Sequence, residues 1–194
     1  MPKDAGPQRQ RLIETAARLF EAQGYAATGL QQLLAESGAP KGSLYHYFPG
    51  GKEALAVAVV EHAAAAIESG LAQALAAATP QDGLLAALAL FRRKLVEADF
   101  RAGCPIATIA LEQSDASEPI RLACERAYAG WQARLAAALG GDAAAARQAE
   151  RLLARLEGAL LLARVRRSTA PLDALADDLA LDSTTRHIAN GDGR

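Results

Sequence analysis

The sequence predicts an all-α protein of about nine helices and no strand, and three observations carry that expectation. The 194 residues include 48 Ala and 28 Leu, 76 of the 99 hydrophobic positions, whereas Val and Ile together supply only 11. Strands favour the β-branched and aromatic residues that are scarce here. Apolar residues recur at helical spacing along most of the chain. Between those stretches stand the Gly, Pro, Thr and Asp residues that end and restart helices.

Residues 1 to 7, rich in Pro, Gly and charge, read as a disordered arm. The first helix then carries Leu12, Ile13, Ala16, Leu19 and Phe20 on one face and stops at Gly24. Thr28-Gly29-Leu30-Gln31 fits a capping box, with Thr28 as N-cap of a short helix bearing Leu30, Leu33 and Leu34 that ends at Gly38. A second short helix runs from about Pro40 or Lys41 to Tyr47, since Pro at a first helical position lacks only an N–H that would be unpaired anyway. Pro49-Gly50-Gly51 breaks the chain, and from Lys52 a long helix carries Leu55, Val59, Ala63, Ile67, Leu71 and Leu75.

Thr79-Pro80 restarts the chain as N-cap and first residue of a helix packing through Leu84, Leu88, Phe91 and Leu95. Gly103-Cys104-Pro105 precedes a short apolar helix, Ile106 to Leu111, with Glu112 and Gln113 at its end. The next helix spans about Ser117 to Leu139, with Ala127, Trp131 and Leu135 on one stripe. Asp142 caps another, whose last turn holds Arg164, Arg166 and Arg167, where positive charge suits the helix dipole. A weaker last helix starts near Pro171, and the tail from Asn190 is expected to fray.

Length is sufficient for a real core. No uninterrupted apolar run approaches the roughly 20 residues of a membrane helix, and the first residues lack the apolar core of a secretion signal. Cys104 and Cys124 form neither a metal-ligand cluster nor a disulfide framework, so the expected setting is the reducing cytoplasm, without a membrane partner. His46, His62 and His187 are scattered, and no nucleophile stands beside an obvious base. Neither an enzyme, a metal nor a cofactor is expected.

A net charge of −1 argues at first against a nucleic-acid partner, but the total conceals an asymmetry. The first 52 residues hold six Lys/Arg and four Asp/Glu, or +2; the remaining 142 hold 15 and 18, or −3. Lys41 and Lys52 are the only lysines between residues 4 and 93. In the second short helix Leu44 and Phe48 lie four apart and face inward, so Lys41, Ser43, Tyr45 and Tyr47 can be presented on the other side. Gly42 permits close approach of a phosphate backbone. Lys, Ser and Tyr suit phosphate contacts, as does a helix N-terminus; the competing reading is an amphipathic helix with two half-buried tyrosines.

Arg11 to Lys52, with Ala16-Ala17, Leu19-Phe20, Gly24-Tyr25, Thr28, Gly38, Lys41-Gly42-Ser43-Leu44-Tyr45 and Phe48, resembles the N-terminal DNA-binding domain of TetR-family transcriptional regulators. Phe48-Pro49-Gly50-Gly51-Lys52-Glu53 and Gly103-Cys104-Pro105-Ile106 resemble the LmrA/YxaF-type subgroup. The resemblance implies a helix-turn-helix DNA-binding domain in residues 1–52 and a helical ligand-binding and dimerisation domain in 53–194. It implies a homodimeric repressor of a palindromic double-stranded operator, released by a small-molecule effector. Thr28, Tyr45, Tyr47 and Lys52 would bind phosphate; Lys41, Gly42 and Ser43 would lie nearest base edges; His46 would meet phosphate or base. Two departures stand out: Pro40 occupies a position where Ser or Thr is common, and Phe48 to Lys52 is one residue longer than usual.

Small-molecule sites in helical proteins form between helices and are mostly apolar. Phe91, Phe100, Ile106, Ile109, Glu112, Gln113, Tyr128 and Trp131 gather nearly all the C-terminal aromatics in three consecutive helices. Together with His62 and Cys104 they form the expected pocket, for an apolar or aromatic ligand with an acceptor or hydroxyl for Gln113. The expected dimer stripe is Ala149, Leu152, Leu153, Leu156, Leu160 and Ala163, with Leu175 and Leu179 on the last helix. Gly51 and Gly70 are candidate points of give between two dimer geometries. Two alternatives stay open: a redox or electrophile sensor acting through Cys104, and a non-regulatory helical interaction protein.

Overall fold

A computed structural model describes residues 5–76, 79–101 and 103–191, with side chains between residues 6 and 181. The described residues form nine helices and no strand: α1 (Ala5–Gln23), α2 (Leu30–Ser37), α3 (Lys41–Tyr47), α4 (Gly51–Leu75), α5 (Pro80–Glu97), α6 (Pro105–Gln113), α7 (Glu118–Ala138), α8 (Ala143–Arg166) and α9 (Ala170–Gly191). Most ends follow their local chemistry. Gly24 and Gly38 stop α1 and α2 with φ of +89° and +64°, conformations that cost glycine no Cβ clash. Thr79 caps α5 by accepting the Asp82 N–H at 3.1 Å, and Asp142 caps α8 by accepting the Ala145 N–H at 2.7 Å.

Three local expectations change. Residues 5–7, read as part of a disordered arm, already belong to α1, while 1–4 and 192–194 lie outside the described residues. The capping box does not form: Gly29 is the N-cap of α2 and no side chain caps it. The hydroxyl of Thr28 instead donates to Gly24 O at 2.7 Å. Finally, α4 is long and apolar enough to cross a membrane, with a mean hydropathy of 1.4 in its richest window. Scanning for unbroken apolar runs missed this, because Glu61 and His62 interrupt the alanines. Leu55, Ala56, Val59 and Val60 of α4 are buried protein core.

The chain divides into two compact units that do not follow a boundary at residue 52. The first comprises residues up to Ile67 with Cys104–Ala129. Its core is built from Leu12, Ala16 and Phe20 of α1, Leu33 of α2, Leu44 of α3, Leu55 and Val59 of α4, Ile106 and Ile109 of α6, and Ile120 of α7, all buried. Each fully buried leucine or phenylalanine contributes about 1.5–3 kcal/mol. The second comprises Glu68–Gly103 with residues from Gly130 onward. There Leu84, Leu88 and Leu95 of α5, Trp131 and Leu135 of α7, Leu160 of α8 and Leu172 and Leu175 of α9 are buried. Gly83 lies so close to α4 that an added Cβ would stand 2.9 Å from Leu75 Cα.

Candidate nucleic-acid interface and apolar cleft

In the first unit, α1, α2 and α3 form a helix-turn-helix whose last helix is held by its apolar side. Leu44 and the following Phe48 are buried, and the Arg9 guanidinium lies 5.3 Å from the Phe48 ring centroid. Lys41, Gly42 and His46 are consequently exposed, Ser43 is half-buried, and Tyr45 is 59% exposed. Nothing lies within 4 Å of a Cβ built on Gly42, so the backbone there is open to close approach. Pro40 starts α3 without a side-chain cap.

The remaining DNA-contact candidates are more constrained. Tyr47 is half-buried and its hydroxyl donates to Gln8 Oε1 at 3.3 Å, tying α3 to α1. Its ring meets His46 edge-on, with centroids 4.9 Å apart. Thr28 is only 1% exposed; its hydroxyl, which also accepts from Gln23 Nε2 at 3.2 Å, serves the α1–α2 turn and is not turned outward. Lys52 is half-buried with its Nζ 4.2 Å above the Tyr25 ring centroid. Burial lowers its pKa, and the charge of Glu112 works against that. The Tyr25 phenol is pushed up by burial first and by Glu53 second.

In the second unit a narrow apolar cleft is lined by Leu71, Leu84, Ala87, Leu88, Phe91, Trp131, Leu135, Leu152, Leu153, Leu156 and Leu179. Only about 30 Å³ of it is clear space, so an occupant of any size must part its walls. Of the expected pocket residues, Phe91 and Trp131 line it. His62, Cys104, Ile106, Ile109, Glu112, Gln113 and Tyr128 belong to the first unit, where Ile106 and Ile109 are core. Gln113 Nε2 donates to Glu112 O at 2.9 Å. Phe100 sits in a turn with φ +56° and is not among the lining residues. Enrichment of aromatics along the sequence could not reveal which way each helix turned its ring. The signal that could have found the cleft is the stripe Leu84, Leu88 and Phe91 of α5, opposite the stripe of α8.

Much of the expected dimer stripe is covered within the single chain. Ala149, Leu152, Leu160 and Ala163 of α8, with Leu175 and Leu179 of α9, are buried within the single chain, and Leu153 and Leu156 line the cleft. The outward apolar residues of α8 are Leu161, Leu162 and Val165, the last 74% exposed. Sequence periodicity finds an apolar stripe but not its partner. Both thiols are buried. Cys104 is the N-cap of α6, with its Sγ 4.0 Å from the Tyr128 hydroxyl, and burial pushes the Cys124 thiol up, away from the thiolate. Among the described residues no group of three metal-ligating side chains assembles.

An all-α chain with a helix-turn-helix and an exposed recognition helix defines a DNA-binding regulator. Comparison with known proteins gives the family. Residues 12–59 match the model for "Bacterial regulatory proteins, tetR family", and residues 80–178 match "Transcriptional regulator LmrA/YxaF-like, C-terminal domain". The chain is 38% identical over 172 residues to the HTH-type transcriptional regulator LmrA of Bacillus subtilis, covering 86% of this chain and 92% of that one. It is 31% identical over 176 residues to the transcriptional repressor NemR of Escherichia coli, covering 85% and 88%. The crystal structure of reduced E. coli NemR superposes with a TM-score of 0.79 over 89% of this chain and 95% of that one. A TetR regulator from Chloroflexus aurantiacus, 29% identical, gives 0.80 over 94% and 96%. The chain belongs to the TetR family of bacterial transcriptional regulators, with an LmrA/YxaF-like C-terminal domain; it is not an enzyme.

Proposed function

We propose that this regulator is a homodimeric cytoplasmic repressor that binds a palindromic operator and is released by a small, wholly apolar effector. The observation that carries the effector is the cleft of the second unit, lined by leucines, Ala87, Phe91 and Trp131. Gln113 lies outside that lining, which removes the reason to expect a hydroxyl or acceptor on the ligand. Ligand pockets that bury their occupant are mainly apolar. The reader is assigned to residues 1–52 and the effector and dimer functions to 53–194.

Lys41, Gly42, Ser43, Tyr45 and His46 meet the DNA from α3, with Tyr47 and Lys52 beside them; at Thr28 the contribution is to the turn. Leu161, Leu162 and Val165 supply the apolar part of the dimer contact, since large apolar side chains left in water mark interaction surfaces. Two recognition helices must then stand about 34–36 Å apart to read successive major grooves. An effector releases DNA only by favouring a dimer with another separation.

The test is titration with an apolar probe, naphthalene, while following Trp131 fluorescence and binding to a duplex from the regulator's own promoter. A shift in Trp131 emission with loss of DNA is expected; emission change without DNA release would reject the repressor-effector link. Lys41→Ala should weaken DNA binding and lower the slope of log K against log salt by about 0.9 for each phosphate that is no longer neutralised. Burial of both cysteines favours this reading over sensing through Cys104. Release by an oxidant, abolished in Cys104→Ser, would reverse that preference.

A further inference from the structure

Glu112 stands at the electrostatically wrong end of its helix. The last turn of α6 holds no basic residue, and a carboxylate there meets the negative end of the helix dipole. Local violations of this kind tend to mark functional positions. Here the compensating contact lies 86 positions away in the chain, where Glu112 Oε2 accepts the Ala26 N–H at 2.7 Å. Its Oε1 fills the space a Cβ on Gly24 would need, so the glycine that turns the chain at φ +89° also admits the carboxylate. The carboxylate is thereby seated on the backbone of the α1–α2 turn. Beyond the end of α6, the buried Ser117 hydroxyl donates to Glu53 Oε1 at 2.6 Å and accepts the Ile120 N–H at 3.3 Å, which fixes it at the start of α7. Glu53 lies in the first turn of α4. All of these residues belong to the first unit.

Between Ala26 and Glu53 lie the whole of α2 and α3. The corner that joins α6 to α7 therefore grips this helix pair both where the chain enters it and where the chain leaves it. Leu33, Leu44 and Phe48 hold the underside of the pair by burial, which is non-directional and opposes separation more than rotation. Hydrogen bonds weaken steeply with angle, so two of them at the ends fix the orientation that burial leaves loose. We infer that Glu112 and Ser117 are positioning residues for DNA recognition: they set the orientation of α2 and α3 without touching DNA themselves. The inference rests on the proposed reading of an operator by α3.

The experiment compares the full chain with Glu112→Gln, Glu112→Leu and Ser117→Ala, by backbone hydrogen–deuterium exchange and by binding to two duplexes, one from the regulator's own promoter and one of random sequence. Both Glu112 variants lose the same charge, but only Gln keeps an oxygen for the Ala26 N–H, so their difference isolates the bond. Amides of α2 and α3 should exchange faster in Glu112→Leu and Ser117→Ala than in the native protein and Glu112→Gln, with α5 unchanged. Promoter affinity should fall by about 2- to 10-fold in the same two variants, the effect of one hydrogen bond. Glu112→Leu should match Glu112→Gln in random-duplex affinity and salt slope, because no phosphate contact is lost. A merely stabilising bond would lower the melting temperature and leave the promoter-to-random ratio alone. Equal exchange of α2 and α3 in Glu112→Gln and Glu112→Leu overturns the inference. So does faster exchange with an unchanged ratio, where the native protein discriminates the two duplexes. A native protein that binds both duplexes alike rejects the operator reading instead, and the exchange comparison alone then decides the positioning.

Discussion

The Thr28 hydroxyl donates to the carbonyl oxygen of Gly24 across the turn between α1 and α2, at 2.7 Å and in a buried setting. Gln23 Nε2 donates to that hydroxyl and also to Gln32 Oε1 at 2.9 Å, so Gln23 of α1 links the threonine's turn to α2.

Replacing Thr28 with Val, which keeps the shape and removes the hydroxyl, should therefore destabilise the protein by about 1–3 kcal/mol, the cost of leaving a buried polar group unpaired. Thr28→Ser should cost less. Urea unfolding measures the difference, and a Val variant as stable as the native protein would show that the bond contributes nothing.

Leu88 lines the cleft and is buried. Its truncation to Ala removes packing and enlarges a space with little clear volume, so a loss of about 2–5 kcal/mol is expected. The enlarged apolar cleft should take up benzene, recovering part of that loss as a benzene-dependent rise in melting temperature. No rise at saturating benzene would mean that the walls collapse into the space.

A charge on the outward face of α8 should separate subunits without unfolding them. Val165→Asp is expected to shift sedimentation from dimer to monomer with a near-native melting temperature. Leu160→Asp, at a buried position of the same helix, should instead unfold the chain, because an unpaired charge is costly inside. A dimer that survives Val165→Asp in association with further charges at Leu161 and Leu162 would place the interface elsewhere.

Asp173 accepts from the Thr169 hydroxyl at 2.8 Å and from Arg92 Nε at 2.8 Å. Those bonds, Thr169 first, hold its carboxyl below the ordinary aspartate range. A depressed carboxyl stabilises the fold above its unfolded pKa and loses that contribution as pH falls through the folded value. The contribution should therefore fade below about pH 4. The site is largely exposed, so Asp173→Asn should cost under about 1 kcal/mol at neutral pH and flatten the acid limb of a stability-against-pH curve. Equal acid limbs for both proteins would remove Asp173 from that account.

Local sequence was informative wherever one residue's chemistry decides the outcome. Gly24 and Gly38 ended helices because a positive φ excludes most other residues, and Thr79 and Asp142 capped helices because their side chains reach an unpaired N–H. Leu44 and Phe48, four apart, oriented α3 and so exposed Lys41, Gly42 and Tyr45. At Thr28 the capping box matched in letters only, since Gly24 O competed successfully for the hydroxyl.

What the sequence determined by itself was therefore the all-α class, the order of helices, the helix-turn-helix and the face of α3 turned outward, all consequences of short-range spacing. Only tertiary structure decided which apolar stripes met each other. Leu152, Leu153, Leu156 and Leu179 turned inward to the cleft with Phe91 and Trp131, leaving Leu161, Leu162 and Val165 outside. Tertiary structure alone also brought Glu112 of α6 to Ala26, 86 positions earlier in the chain. Hydrophobic burial is non-directional, so periodicity reports that a face is buried but not what buries it, and a hydrogen bond across 86 residues leaves no trace in local spacing.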